Sequence, residues 1–340
     1  MRVLVVGGSV TGGGGVGGRQ ELAWPAHISQ HALTVRFKNA VDPTYFLHCT
    51  EHYIDGAHDV VLFDLGPNLF DGKRSSGDMA RLANKTRCIA QAGSVALINW
   101  PRRSNNADLH STRTAARESG AHVIEVPHSR SLYADAVHPN VQGYMEIATQ
   151  VQRFLQTARA DAPAQCAPPR HDARTEVCFS NATELPTLGT TLWRLVDESP
   201  IATVHKFGMV SRTMGARLRL RVPRVRVCGA IATLSYLETN TTGDFNISCV
   251  SCECTALRNY HQREVFPFPV VRNSHRAPSL KVTRETSFYV LYERKEGKVT
   301  RDCLFDIRHT RGDKVRIDGM YLREAGVLDA QNALIRPNDA

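Results

Sequence analysis

The sequence predicts an α/β protein in two parts: a three-layer α/β/α domain built on a parallel five-stranded sheet, then an antiparallel β-sandwich. Three observations carry this. Short apolar runs at residues 3–6, 59–65 and 95–99 are what central parallel strands look like when helices cover both faces. Up to residue 158 such runs alternate with stretches of helical spacing. Beyond a proline-rich segment the period changes to strict alternation, as in Arg217-Leu-Arg-Leu-Arg-Val222.

The elements follow in order. Residues 3–6 form the first strand, which runs into Gly7-Gly8-Ser9-Val10-Thr11 and then a run of glycines. Trp24-Pro25 opens a helical stretch, with proline pre-set for the first helical position. Residues 33–37 read as a strand, 44–53 as a helix, and 59–65 as a third strand ended by Gly66-Pro67. A helix over 77–92 places Met79, Leu82, Ala83 and Ile89 on its apolar side. A strand at 95–99, a helix at 107–119 and a strand at 122–126 come next. The last helix, 141–158, carries Tyr144, Ile147, Val151 and Leu155 near helical spacing. The domain boundaries read as 1–160, a proline-rich linker at 161–174, a β-sandwich at 175–325 and a tail at 326–340.

A chain of 340 residues is long enough for two domains, each with its own core. Its 42% hydrophobic and 22% charged residues are ordinary for a globular protein, and no apolar run approaches the roughly 20 residues of a membrane span. The net charge of +9 is spread along the chain, which reads as a basic solvated surface and not as a nucleic-acid footprint. The N-terminus lacks the apolar core of a signal peptide, so either the protein is cytosolic or a targeting segment precedes residue 1. Nine cysteines, seven of them from Cys166 onward, and sequons at Asn84, Asn181, Asn240 and Asn246 favour the secretory pathway or the extracellular space. In Cys249-x-x-Cys252-x-Cys254 with Cys303, disulfides outweigh a bound metal, and no cofactor is expected.

Three loops at strand ends carry polar groups suited to one chemistry. Ser9 follows the first strand, Asn68 follows the third in Leu65-Gly-Pro-Asn68, and Asp135-Ala-Val-His138-Pro139 follows the fifth. In a parallel sheet these loops share an edge. Acyl transfer needs a hydroxyl to attack a carbonyl, an imidazole to take its proton, a carboxylate to orient that imidazole, and donors for the oxyanion. Two other readings of the first loop lose. Gly13-Gly-Gly15-Val-Gly-Gly18 fits a dinucleotide loop formally, but it starts six residues past the strand, and the second strand ends without the acidic residue that holds a ribose. A plain turn serine does not account for Asn68 and Asp135/His138. The glycine run then reads as a flexible segment beside the nucleophile.

With these residues in view, the first domain resembles the SGNH (GDSL-type) hydrolases over roughly residues 1–158. Gly7-Gly8-Ser9-Val-Thr11 matches the first block, and Gly66-Pro67-Asn68 matches the third, with Leu69 where the family has aspartate. Asp135-Ala-Val-His138-Pro139 matches the fifth in full. The resemblance implies a flavodoxin-like α/β/α fold, with Ser9 as nucleophile, His138 as base and Asp135 as its orienting acid. It also implies Asn68 and the Ser9 backbone N–H as oxyanion donors, with Gly8, Thr11 and Pro67 lining the substrate. The second block departs: its loop reads Asn39-Ala-Val-Asp42-Pro43-Thr44, without the family's glycine. Proline has no N–H, so the missing donor would have to come from Asp42 or Thr44, and losing one such donor typically costs about 100- to 1000-fold in rate.

The second half resembles the C-terminal β-domain of plant and algal glycan-modifying esterase-like proteins. It does so on Leu234-Ser-Tyr236-Leu237, the three clustered cysteines and Cys303. Together the resemblances imply a serine esterase acting on acyl groups, above all O-acetyl groups of a carbohydrate, so the expected partner is an acylated glycan or small ester. A weak or inactive glycan-binding pseudo-esterase and an O-acyltransferase are the alternatives.

Overall fold

The structure, a computed structural model, describes residues 1–38, 41, 43–54, 56–69, 73–103, 107–158, 176–198, 207–223, 229–238, 243–256, 270–271, 282–292, 294–295, 298–299 and 302–324. The chain divides into two compact units, Met1–His171 and Asp172–Ala340.

The first unit runs β1 (Arg2–Gly7), β2 (Ala32–Phe37), α1 (Pro43–His48), α2 (Thr50–Tyr53), β3 (Val60–Asp64), α3 (Lys73–Ile89), β4 (Ser94–Asn99), α4 (Ala107–Ser119), β5 (His122–Glu125) and α5 (Val141–Thr157). All five strands pair in parallel in the order β2-β1-β3-β4-β5. Strand side chains alternate between faces. Val3, Val5, Val60, Leu62, Ala96 and Ile98 therefore pack in one cluster with Tyr144, Ile147, Val151 and Leu155 of α5. Leu4, Val61, Phe63 and Leu97, of the other parity, are equally buried. The apolar runs are continuous because both faces of the sheet are dry.

Two expected helices are shorter in the structure. Trp24–His27 is a single 3₁₀ turn, and the stretch at 44–53 breaks at Cys49 into α1 and α2. Helix α5 starts at a true cap: the Asn140 side chain accepts the Gly143 N–H at 3.0 Å and donates to the Ser131 carbonyl at 2.7 Å. Among the described residues, no helix is long and apolar enough to cross a membrane.

The described residues of the second unit form strands only: β6 (Glu176–Phe179), β7 (Thr187–Thr191), β8 (Trp193–Asp197), β9 (Phe207–Ser211), β10 (Arg217–Val222), β11 (Gly229–Glu238), β12 (Asp244–Val250), β13 (Cys252–Ala256), β14 (Val270–Val271), β15 (Val282–Tyr292), β16 (Arg294–Lys295), β17 (Lys298–Val299), β18 (Cys303–Arg311) and β19 (Val315–Glu324). One sheet has the order β14-β12-β18-β10-β7; the other runs β13-β15-β11-β19-β9-β8, with β6 on β19. Leu218, Leu220, Ile247, Phe305 and Ile307 from the first pack with Ala232, Leu234, Tyr236, Met320 and Leu322 from the second, which makes a sandwich.

The alternating arginines of β10 face outward and are compensated. Arg217 and Arg219 lie 3.8 and 3.7 Å from Asp306, and Arg221 lies 2.5 Å from Asp302. The cysteine cluster forms two disulfides, Cys249–Cys254 and Cys252–Cys303, as the sequence led us to expect. They tie the β12–β13 corner to the start of β18.

Candidate active site

The order β2-β1-β3-β4-β5 reverses direction between β1 and β3, and ligands of open parallel sheets bind at that crevice, outside the carboxyl ends of the strands. Ser9 leaves β1 there and Asn68 leaves β3. Ser9 is half-buried, whereas Val3 through Gly8 and Val10 through Gly13 are all buried. The turn thus lifts one hydroxyl into reach of solvent.

Ser9 Oγ lies 2.8 Å from His138 Nε2. On the far side of the ring, His138 Nδ1 lies 2.8 Å from Asp135 Oδ2. The other carboxylate oxygen, Asp135 Oδ1, accepts the backbone N–H groups of Val137 at 2.7 Å and His138 at 2.8 Å. Partial burial pushes the Asp135 carboxyl up, but hydrogen bonds from the His138 backbone, the His138 ring and the Val137 backbone outweigh it, so the group titrates below the usual carboxylate range. With Nδ1–H donated to that carboxylate, Nε2 is left to accept the serine proton.

The loop that carries this pair is braced from β4. Trp100, wholly buried just past that strand, stacks on Tyr133 with ring centroids 4.4 Å apart. Its Nε1 donates to the Val137 carbonyl at 3.2 Å, and Tyr133 Oη donates to the Pro101 carbonyl at 2.6 Å. Ala134 N–H closes the loop on the His138 carbonyl at 2.9 Å. None of these braces was identified from the sequence, where Trp100-Pro101 after a strand was the available signal.

Asn68 sits in a 3₁₀ turn over Gly66–Asn68 and is 5% exposed. Its Nδ2 donates to the Val41 carbonyl at 2.8 Å, which uses one amide hydrogen and orients the other. The amide lies against the Ser9 turn: a Cβ on Gly8 would come within 2.7 Å of Asn68 Oδ1. Among the described residues no acceptor takes the Ser9 N–H. The structure therefore brings Ser9, Asn68, Asp135 and His138 to one place. Asp42 lies outside the described residues. Thr44, the other residue considered for a second-block donor, is hydrogen-bonded through its hydroxyl to Asp78 at 2.7 Å.

Two expectations change. Thr11, read as a substrate contact, is buried, and its hydroxyl donates inward to Asp64 at 2.7 Å. Gly8 and Pro67 are buried too, and the Gly8 N–H is spent on the Asp64 carbonyl at 3.2 Å. The glycine run is no flexible segment but a series of closed turns: Gly12 N–H bonds to Gly8, Gly13 to Val10, Gly14 to Ser9 at 2.8 Å, and Gly18 to Gly13 at 2.9 Å. It is also a seat for the imidazole. A Cβ on Gly14 would come within 2.3 Å of His138 Cδ2 and 2.7 Å of Nε2, and one on Gly15, at φ +85°, within 2.8 Å of His138 Cβ.

No family model and no curated protein sequence matches this chain. Among solved structures it is similar to a two-domain esterase active on acetylated mannans. The TM-score is 0.60 at 13% identity, covering 96% of this chain and 92% of that one. The same esterase co-crystallised with mannopentaose aligns with a TM-score of 0.61 at 14% identity, covering 96% and 91%. The likeness is one of fold: a three-layer α/β/α domain followed by a C-terminal antiparallel β-domain.

Proposed function

We propose that this protein is a serine esterase that removes acyl groups, in the first place O-acetyl groups of a carbohydrate, through a Ser9 acyl-enzyme. The observation that carries the reading is the continuous relay from Ser9 Oγ through His138 to Asp135, with both contacts at 2.8 Å. Ser9 Oγ attacks the ester carbonyl carbon as His138 Nε2 takes its proton, and Asp135 holds the imidazolium that forms. The oxyanion is received by the free Asn68 amide hydrogen and the Ser9 N–H. Collapse breaks the C–O bond to the sugar oxygen, which leaves with the proton from His138. Water then repeats the sequence in reverse roles and releases the acid. A carbohydrate substrate is supported by the likeness to the acetylmannan esterase across both parts of the chain. The paired disulfides of the second unit suit an oxidising compartment, and we place the enzyme in the secretory pathway or outside the cell.

The test is turnover of p-nitrophenyl acetate and release of acetate from acetylated mannan, with fluorophosphonate labelling of the serine. Ser9→Ala should abolish labelling and turnover together. Full turnover in Ser9→Ala would remove the reading. Glycan affinity in a wild-type protein that never labels would put a binding module in its place.

A further inference from the structure

One buried ionisable group near the site has no part in these steps. Asp64, the last residue of β3, is wholly buried beneath the turn that carries Ser9. Its Oδ2 accepts two hydrogen bonds, from Thr11 Oγ1 at 2.7 Å and from Trp24 Nε1 at 2.8 Å. Its Oδ1 receives none among the described residues. Its backbone carbonyl accepts the Gly8 N–H at 3.2 Å. Asp64 thus holds the residue before Ser9 by its main chain and the second residue after it by its side chain.

Gly7, in register opposite Asp64 on β1, makes this possible, because a Cβ there would fall 1.8 Å from the Thr11 hydroxyl oxygen. An aspartate is a costly anchor for two neutral donors. Burial pushes its carboxyl up to about 6, against the lowering effect of the bonds from Trp24 and Thr11. The ionisable group that faces it is Tyr144 of α5, whose phenol is pushed up by burial and then by the charges of Asp64 and Asp135. The single Tyr144 hydroxyl is shared between the carbonyls of Val10 and Gly14, closing the same turn from the other side. Thr11 and Trp24, the side chains bonded to the carboxylate, are neutral.

We propose that Asp64 is a positioning residue for Ser9. Through Thr11 and Gly8 it sets the backbone of the nucleophile turn, and with it the aim of Ser9 Oγ at His138 and of the Ser9 N–H at the oxyanion. This rests on the reading of Ser9 as the nucleophile. A displacement of the hydroxyl by about 1 Å is enough to cost on the order of 100-fold in rate.

The experiment compares wild type, Thr11→Val, Asp64→Ala, Asp64→Asn and the double variant Thr11→Val/Asp64→Ala. It measures the rate of fluorophosphonate labelling at Ser9, kcat and KM on p-nitrophenyl acetate, and the thermal midpoint. Thr11→Val keeps the shape and removes the donor; it and Asp64→Ala should lose up to about 100-fold in labelling and kcat at nearly constant KM. The double variant should be no slower than the slower single, because both remove the same bond. Asp64→Asn, whose amide oxygen still accepts from Thr11 and Trp24, should recover most of the rate. If Asp64→Ala does not fold, Thr11→Val and Asp64→Asn decide the matter. Wild-type labelling in folded Thr11→Val, losses that multiply in the double variant, or a loss confined to KM overturns the proposal. A wild type that does not label at all overturns the nucleophile reading instead, and this proposal with it.

Discussion

Two turns meet at the site, and each leans on an aspartate of opposite character. The imidazole loop uses Asp135, whose side chain is 53% exposed and whose two oxygens take three donors. The Ser9 turn rests on Asp64, wholly buried, with two donors on one oxygen and none from the described residues on the other. The same chemical group is therefore held below its ordinary titration range in one place and raised to about 6 in the other. Donors outrun desolvation at Asp135, and desolvation outruns donors at Asp64. The carboxylate paired with the His138 ring is kept near water and saturated with N–H groups. One that only sets shape is free to sit in a dry place.

The comparison breaks most sharply at Asp135. Asp135→Asn keeps the volume but offers an amide where Nδ1–H needs an acceptor, which favours the wrong tautomer of His138. We expect a loss of about 10⁴-fold in kcat with a much smaller loss of stability, read from esterase assays and melts on one preparation. Gly14→Ala comes next. Its methyl group would occupy the place of the His138 ring edge, so kcat should fall by about 100-fold, while binding of an unreactive ester analogue stays near wild type.

The third expected effect is on stability and has the opposite sign at the two carboxylates. For Asp135 the folded-state titration is depressed, so its stabilising contribution is present above the ordinary carboxylate range and is lost as acid protonates it in the fold. For Asp64 the folded value is raised from 3.8 to about 6. Between those values the folded state holds a proton that the unfolded chain has released. The Asp64 contribution to stability is thus highest below about 4, falls as pH rises to about 6 and is flat above, a change of about 3 kcal/mol. Urea unfolding of wild type and Asp64→Asn across this window should show the fall in the first and not in the second. Parallel curves would mean that Asp64 titrates normally.

The sheet and the Asp135–His138 pair were legible because their signals are local. A both-faces-dry strand shows as an unbroken apolar run, and Asp135-x-x-His138-Pro139 brings acid and base together within one turn. Ser9 was legible from the strand end that precedes it. The seat that Gly14 makes for His138, the Trp100–Tyr133 stack and the Val41 carbonyl that turns the Asn68 amide were not. Each joins residues tens to over a hundred positions apart, and no spacing within one segment encodes such a meeting. The glycine run shows this most plainly: as a string it suggested flexibility, while in the fold its missing side chains are space filled by the imidazole. Asp64 left one trace, a charge inside an otherwise apolar strand, Val-Val-Leu-Phe-Asp. What it does there depends on Thr11 and Trp24 arriving from β1's far end.

The sequence alone determined which segments are strands and helices and which residues are chemically equipped for acyl transfer, because period, turn residues and side-chain chemistry are properties of short stretches. The tertiary structure decided which of those residues face one another, which carboxylate is held below its ordinary titration range and which is raised above it, and which glycine makes room. Those outcomes follow from the order β2-β1-β3-β4-β5, which places the ends of β1, β3 and β5 on one edge and sets Asp64, opposite Gly7, on an inner strand.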